Sequence, residues 1–319
     1  AYDVSLGLVG SEMCIRDRHK SDPETVIAFM QYFTLISMAM MSVTRIFMMY
    51  TKSSASARRI SEVIDTPEDL TVKSESEYPS CPVSAHIIFE NVSFSYTGSH
   101  PNLADISFEV PPGGSLGIIG ATGSGKSTLI KLLLRFYDVG TGRILINGRD
   151  IRTIPRNDFY AMFGTAMQND FLYADTIEEN IRFGRALTSE QIVAAAKTAQ
   201  ADGFISSFPE SYAHVLSQKG TNISGGQKQR LLIARAVAAR PEILDYKTDA
   251  SLRQALAEEM KGTTVITVAQ RVSSVKSCSV ILVLDEGRII GQGTHEELMQ
   301  SCPQYREISE SQMGGAFVE

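Results

Sequence analysis

The four cysteines, Cys14, Cys81, Cys278 and Cys302, fall in no CxxC spacing. They offer neither a zinc knuckle nor a disulfide framework, and such usage fits a reducing cytosolic setting. Basic excess is also missing: 30 Lys and Arg against 36 Asp and Glu give a net charge of -6 and a pI near 5.5. Without a broad positive field, nucleic acid is not an expected partner. Residues 1–18, AYDVSLGLVGSEMCIRDR, have neither the cationic start nor the apolar run of a signal peptide. Their abrupt change of character before HKSDPETV reads as a fusion scar, so they are expected to be non-native and to take no part in the fold. What is present is a globular chain. A hydrophobic content of 43%, a charged content of 21% and a mean hydropathy of -0.03 exclude a disordered tail, a collagen-like fibre and a multi-span channel. The length of 319 residues suits about two domains.

The average hides one long apolar run. Residues 26–50 read VIAFMQYFTLISMAMMSVTRIFMMY, with Arg45 the single charge. As a helix this stretch reaches about 37 Å, enough to cross a hydrocarbon core of about 30 Å with some tilt. Its polar residues, Gln31, Thr34, Ser37, Ser42 and Thr44, make it less greasy than a lone anchor and are expected to face partner helices or a pathway. Apolar spacing through Ala57, Ile60, Val63 and Ile64 carries the helix on as a stalk, with Lys52, Arg58 and Arg59 on the positive, cytosolic side. A membrane and stalk helix is therefore expected over 19–65. Residues 66–85, rich in Pro, Ser and Glu, read as a linker to a soluble domain over 86–313, and 314–319 as a disordered tail.

From His86 the pattern becomes alternating strands and helices. IIFENVSFSY and ADISFEV alternate with period two, and the apolar SLGIIG then enters a glycine-rich turn. The turn, GATGSGKST over 120–128, fits GxxxxGK[ST] and is followed by the helical TLIKLLLRF. This is a P-loop over Gly120, Thr122, Gly123, Ser124 and Gly125: its glycines let backbone N–H groups curl around a phosphate without Cβ clashes, and the helix N-terminus adds partial positive charge. Lys126 is expected to reach the β- and γ-phosphates, Ser127 to offer its hydroxyl to Mg²⁺, and Thr128 to join them in binding the nucleotide.

A P-loop alone says only nucleoside triphosphate. Two further runs narrow it: NISGGQ over 222–227, ahead of the helical QKQRLLIARAVAARP, and Gln168 in TAMQNDFLYADTIEENIRFG. With these the chain resembles the ATP-binding cassette (ABC) family over roughly 86–313. The resemblance implies an α/β P-loop NTPase with an antiparallel β subdomain and an inserted α-helical subdomain, preceded here by one long membrane and stalk helix. It makes Ser224, Gly225, Gly226 and Gln227 part of the signature sequence, Gln168 a metal-contacting glutamine that couples to the membrane domain, and Tyr96 the aromatic that stacks on adenine. ATP and Mg²⁺ follow as cofactors, with Ser127 and Gln168 on the metal. Arg182 and Lys197 read as solvated helix charges. Since SGGQ at a helix start is a second anion site, and cassettes of this family dimerise head to tail, a second ABC half-transporter is implied as partner. The membrane helix running into the cassette resembles the end of an exporter half-transporter, with five preceding helices not in this chain.

The sequence departs from the family pattern in two places. After RPEIL (240–244) the family continues with an apolar strand ending in the Walker-B Asp, an acidic catalytic residue and Ser-Ala-Leu-Asp. Here Leu244 runs directly into DYKTDASL (245–252), which reads as the next helix, so roughly nine residues are missing and the metal and the attacking water lose their acids. Asp245 is the one candidate to fill the gap, but four residues are few for a strand in a sheet of average width. The later VILVLDE (280–286) has Walker-B letters, yet a turn and return strand follow, which places Asp285 and Glu286 on a solvated hairpin turn and His295 at a helix start. In the second departure Gln270 occupies the γ-phosphate switch position where the family has histidine; its amide can hydrogen-bond phosphate but cannot exchange a proton near neutral pH. This resembles the degenerate-site subunit of a heterodimeric multidrug-type exporter.

The expectation is an ATP-binding subunit that couples nucleotide binding and hydrolysis to export of a small molecule, lipid or peptide across the plasma membrane. Its cassette would lie on the cytoplasmic side and its own hydrolytic site would be impaired. A heterodimer is favoured over a homodimer. The alternative is a nucleotide-binding regulatory or assembly module that hydrolyses nothing. Soluble cassette proteins of DNA repair or translation are disfavoured by residues 26–50.

Overall fold

The computed structural model describes residues 23–67, 70–166, 170–246, 252, 256 and 259–314. They divide into one unit up to Asp69 and a second from Leu70. The first unit is a single helix, α1 (Pro23–Ile64), 42 residues or about 63 Å long, none of them buried. It is the one helix among the described residues long and apolar enough to cross a membrane. Its hydroxyls satisfy themselves locally: Thr34 donates to the Met30 carbonyl, Ser42 to Met38 and Thr44 to Met40, at 2.9 to 3.1 Å. Such back-bonding lets Ser and Thr sit in an apolar helix without an unpaired donor.

The second unit is built on two sheets. The smaller is antiparallel, in the order β2-β1-β4-β5, from β1 (Ile87–Phe94), β2 (Leu103–Val110), β4 (Thr141–Ile146) and β5 (Arg149–Asp150). Period-two burial along β2 places Ile106, Phe108 and Val110 inward, as expected of a sheet with one face in water. The larger sheet has the order β10-β9-β3-β8-β7-β6, from β3 (Ser115–Gly120), β6 (Phe163–Ala166), β7 (Ile243–Tyr246), β8 (Thr264–Val268), β9 (Val280–Asp285) and β10 (Arg288–Gly293). Five of its strands are parallel and only β10 runs back. The continuous apolar runs of β3 and β9 belong to such strands, covered on both faces.

Helix α2 (Lys126–Leu133) follows β3 and buries Leu129, Ile130, Leu132 and Leu133 in the main core with both sheets. After α3 (Arg156–Ala161) and β6, a helical subdomain is inserted before β7: α4 (Ile177–Arg182), α5 (Ser189–Thr198), α6 (Asp202–Ile205) and α7 (Gly225–Ala238). It has its own apolar cluster, from Leu172 through Ile192 to Leu231 and Val237. The chain closes with α8 (His295–Ser301) and α9 (Pro303–Gly314).

Two expectations change. The linker segment does not run free from Leu70 onward. Lys73 N–H donates to the Arg152 carbonyl and Cys81 N–H to Gly148, both at 2.8 Å, and the Arg152 guanidinium lies 4.1 Å from the Tyr78 ring centre. An extended chain beside a sheet edge meets backbone partners there, and its own polar groups demand them. The second change is at β7. Asp245 and Tyr246 do not begin a helix; they extend a strand whose residues pair on one side with β6 and on the other with β8. Parallel ladders on both flanks of residues 243–245, and to β6 alone at Tyr246, satisfy this backbone better than a helix start would, so the sheet is continuous through the strand.

Candidate functional site: a nucleotide cradle at the end of β3

The glycine-rich turn leaves the sheet at the carboxyl end of its third strand, the place where open α/β sheets bind ligands. Gly120 pairs with Leu284 of β9 so closely that a Cβ would collide with the Leu284 carbonyl oxygen. Gly125 caps α2 with φ 101°, and a Cβ there would also stand 2.7 Å from the Leu103 methyl. Only glycine meets both demands, left-handed backbone and no side chain. Ser124 is buried at the base of the turn, Thr122 and Gly123 are exposed at its tip, and Thr128 is buried one turn into α2.

The Lys126 ammonium folds over the turn, donating to the carbonyls of Gly120 (2.8 Å) and Ala121 (2.6 Å) and to Ser124 Oγ (3.3 Å). Desolvation lowers its pKa. A half-buried cation held only by neutral oxygens is a strong attractor for an anion, because its donors lose little by exchanging carbonyl for phosphate. Ser127 is exposed beside it. The cradle thus has the helix start and the charge that a phosphate chain requires. Among the described residues no group of three or more His, Cys, Asp and Glu could cage a metal.

Tyr96 lies at the edge of this cradle, 42% exposed, with its hydroxyl 3.4 Å from Thr128 Oγ1. Its backbone N–H donates to Asn102 Oδ1 at 3.0 Å. Edge-to-face contacts with Phe94 (4.9 Å) and Tyr137 (5.1 Å) fix the ring while leaving a face open, and Lys131 Nζ stands 5.6 Å from its centre. Asn102, Lys131 and Tyr137 escaped the sequence reading: no motif marks them, and only the fold brings them to Tyr96.

The SGGQ run begins α7. Ser224 Oγ accepts from Gln227 N–H (3.2 Å) and Gln227 Oε1 accepts from Ser224 N–H (2.9 Å), a reciprocal capping box. With those groups used, exposed Gly225 and Gly226 leave open space at the helix start. The P-loop helix belongs to the main core, and α7 to the helical subdomain's own cluster. Behind the signature, Arg235 is buried. It donates to the Asn180 carbonyl (2.8 Å), to Asn180 Oδ1 (3.0 Å) and to the Phe171 carbonyl (3.1 Å), and lies 4.5 Å from the Phe183 ring centre. Burial lowers its pKa. It ties α7 to the segment following residue 168, a link that a lone arginine in a helical run does not announce. Gln168 itself lies outside the described residues. Arg182 pairs with Glu178 and Glu179 on its own helix.

The acidic positions are fixed by register. Asp245 pairs with Ile266, and Ile266 pairs with Leu116. The P-loop begins at Gly120, four residues farther along, or about 13 Å at the rise of a strand. Burial, with the Asp170 carboxylate nearby, pushes the Asp245 carboxyl up to about 7. Asp285 ends β9, and Glu286 (φ 44°) and Gly287 (φ 77°) make the two-residue hairpin turn into β10. Asp285 and Glu286 are exposed there. His295 starts α8, its ring 2.9 Å from the Tyr305 hydroxyl. Gln270 follows β8 with its side chain exposed.

Fold and cradle together define a P-loop NTPase. The ABC transporter family profile matches residues 103–245. An uncharacterized ABC transporter ATP-binding protein of Mycobacterium bovis is 36% identical over 308 residues, 92% of this chain and 53% of that protein. A fatty acid ABC transporter ATP-binding/permease protein of the same organism is 35% identical over 295 residues, 89% of this chain and 46% of its own. A bacterial Atm1-family ABC exporter with ATP bound superposes with a TM-score of 0.74 at 34% identity, covering 82% of this chain and 47% of that one. Residues 103–245 carry an ABC transporter domain, and over about nine-tenths of its length the chain is similar to ABC transporter ATP-binding proteins. It spans about half the length of the curated relatives it matches.

Proposed function

We propose that the chain is the nucleotide-binding part of an ABC exporter half-transporter, which binds ATP and couples that binding to movement of a small molecule, lipid or peptide across the plasma membrane. The observation that carries this reading is the Lys126 ammonium turned into a glycine cradle at the carboxyl end of β3. In it the backbone N–H groups of 120–128 and Lys126 hold the triphosphate, Ser127 and Gln168 hold Mg²⁺, and Tyr96 carries adenine on its open face. The open start of α7 at Ser224, Gly225, Gly226 and Gln227 serves the nucleotide of a second cassette. Helix α1 spans the membrane and leaves the cassette on the cytoplasmic side.

Hydrolysis at this chain's own site is impaired in this reading. Three features support it: Asp245 stands well short of the P-loop along the sheet, a carboxyl with a pKa of about 7 is only partly anionic at neutral pH, and Gln270 cannot exchange a proton. A partner half-transporter with intact acids would supply turnover, which favours a heterodimer. Titration calorimetry of the whole chain in detergent with Mg-ATP tests the reading: a single saturable site lost in Lys126→Ala is expected, and no binding by the unsubstituted chain refutes it.

A further inference from the structure

The carboxyl-terminal helix reaches back to the residue at the switch position. Gln312 on α9 donates from Nε2 to the Gln270 carbonyl and accepts at Oε1 from the Val272 N–H, both at 2.9 Å. These two bonds fall just past the end of the β3–β8 ladder, whose last link is Ala269 N–H to the Ile118 carbonyl. Beyond that point the chain leaves the sheet for a short 3₁₀ turn, Val272–Ser274. The amide of Gln312 therefore supplies a donor and an acceptor to backbone groups that lie beyond the end of the ladder. On either side of residue 270 the chain is pinned by packing: Ala269 and Val272 are buried in one cluster with Tyr305 of α9, against which Ile308 also rests. Tyr305 is itself fully buried and bonded to His295, so the helix carrying Gln312 is anchored.

We infer that Gln312 is a positioning residue, which holds the backbone of residues 270–272 so that the Gln270 side chain is presented to the terminal phosphate of the bound nucleotide. This rests on the nucleotide reading above and adds the device that makes the chain distinguish a triphosphate from a diphosphate. A bidentate amide on a backbone carbonyl and N–H fixes direction as well as distance, so loss of it frees residue 270 to turn without unfolding its neighbours.

The test uses the whole chain in detergent, with Mg-ATP and Mg-ADP titrated separately. Gln312→Leu is expected to weaken ATP binding about 5- to 10-fold with ADP affinity unchanged, and to speed amide hydrogen exchange at Val272 in the nucleotide-free protein. Gln312→Glu, which keeps the acceptor and loses the donor, should lie between. Ser311→Ala on the same helix should behave as the unsubstituted chain. Equal loss of ATP and ADP affinity, or no change in either, overturns the positioning role. Faster exchange at Val272 in a chain whose unsubstituted form binds no ATP leaves the brace in place and refutes the nucleotide reading that gives it a role.

Discussion

Asp245 sits level with Leu116, one strand removed, because both pair with Ile266 of β8. The P-loop opens four residues beyond that level. A short strand has thus kept the sheet closed while leaving its only acidic residue set back from the phosphate cradle.

Asp245 carries a pH signature. Its carboxyl is raised from an ordinary 3.8 to about 7 in the folded chain by burial and by Asp170. The folded state therefore binds the proton more tightly than the unfolded one. The stability this contributes is full below about pH 4 and is lost as the pH rises through 7. Asp245→Asn removes the buried charge, so the variant should be more stable than the parent at pH 8, by on the order of 1 to 4 kcal/mol, with the difference closing by pH 4. Urea unfolding at both pH values checks it; a difference that grows toward low pH contradicts the burial.

Lys126→Ala should lower ATP affinity by about 100-fold or more, since charge-assisted bonds to phosphate are the strong ones at such a site. The ammonium also holds the turn through Gly120 and Ala121. Lys126→Met, which keeps the stem but also lacks the ammonium, should lose as much affinity, and the melting temperatures of parent and variants measure what the bonds to Gly120 and Ala121 contribute to the turn.

Tyr96→Ala should weaken ATP binding several-fold, roughly 1 kcal/mol of stacking, and Tyr96→Phe should leave it nearly unchanged, because the hydroxyl's 3.4 Å contact to Thr128 is weak. Equal losses in the two variants, read by the same calorimetry, would place the hydroxyl and not the ring in contact with the nucleotide.

Arg235→Met should destabilise the chain by roughly 2 to 4 kcal/mol, because the Asn180 and Phe171 backbone carbonyls would lose the donors it supplies in the interior, while Asn180 Oδ1 would keep only the Tyr173 N–H. Arg235→Lys should recover only part of this, as an ammonium cannot reproduce the planar fork. Thermal melts of the three proteins rank them; a full recovery by lysine would reduce the site to charge alone.

The cradle could be read in the sequence because its chemistry is local: glycines, lysine and hydroxyls stand within nine consecutive positions, 120–128, between an apolar strand and an amphipathic helix. The helix start at Ser224 to Gln227 and the hairpin at Glu286 and Gly287 were legible for the same reason. What could not be read was whatever depends on a distant neighbour. Asp245 and Tyr246 look like the start of a helix until β6 and β8 are present to pair with them. Tyr137 and Asn102 reach Tyr96 only through the fold, and Gln312 meets Gln270 across 42 positions. The segment after Leu70 has a linker's composition, yet the edge of the antiparallel sheet gives its backbone partners that composition does not foretell.

The most direct measurement is ATP turnover by this chain set beside its ATP affinity, alone and reconstituted with a half-transporter whose acidic residues are intact. Saturable binding with negligible turnover alone, and turnover restored only in the mixed pair, is the expected result. Hydrolysis by the chain alone at about 1 per second or faster, within the range of working enzymes, would contradict it, since no acid set back as Asp245 is could then be the reason for silence.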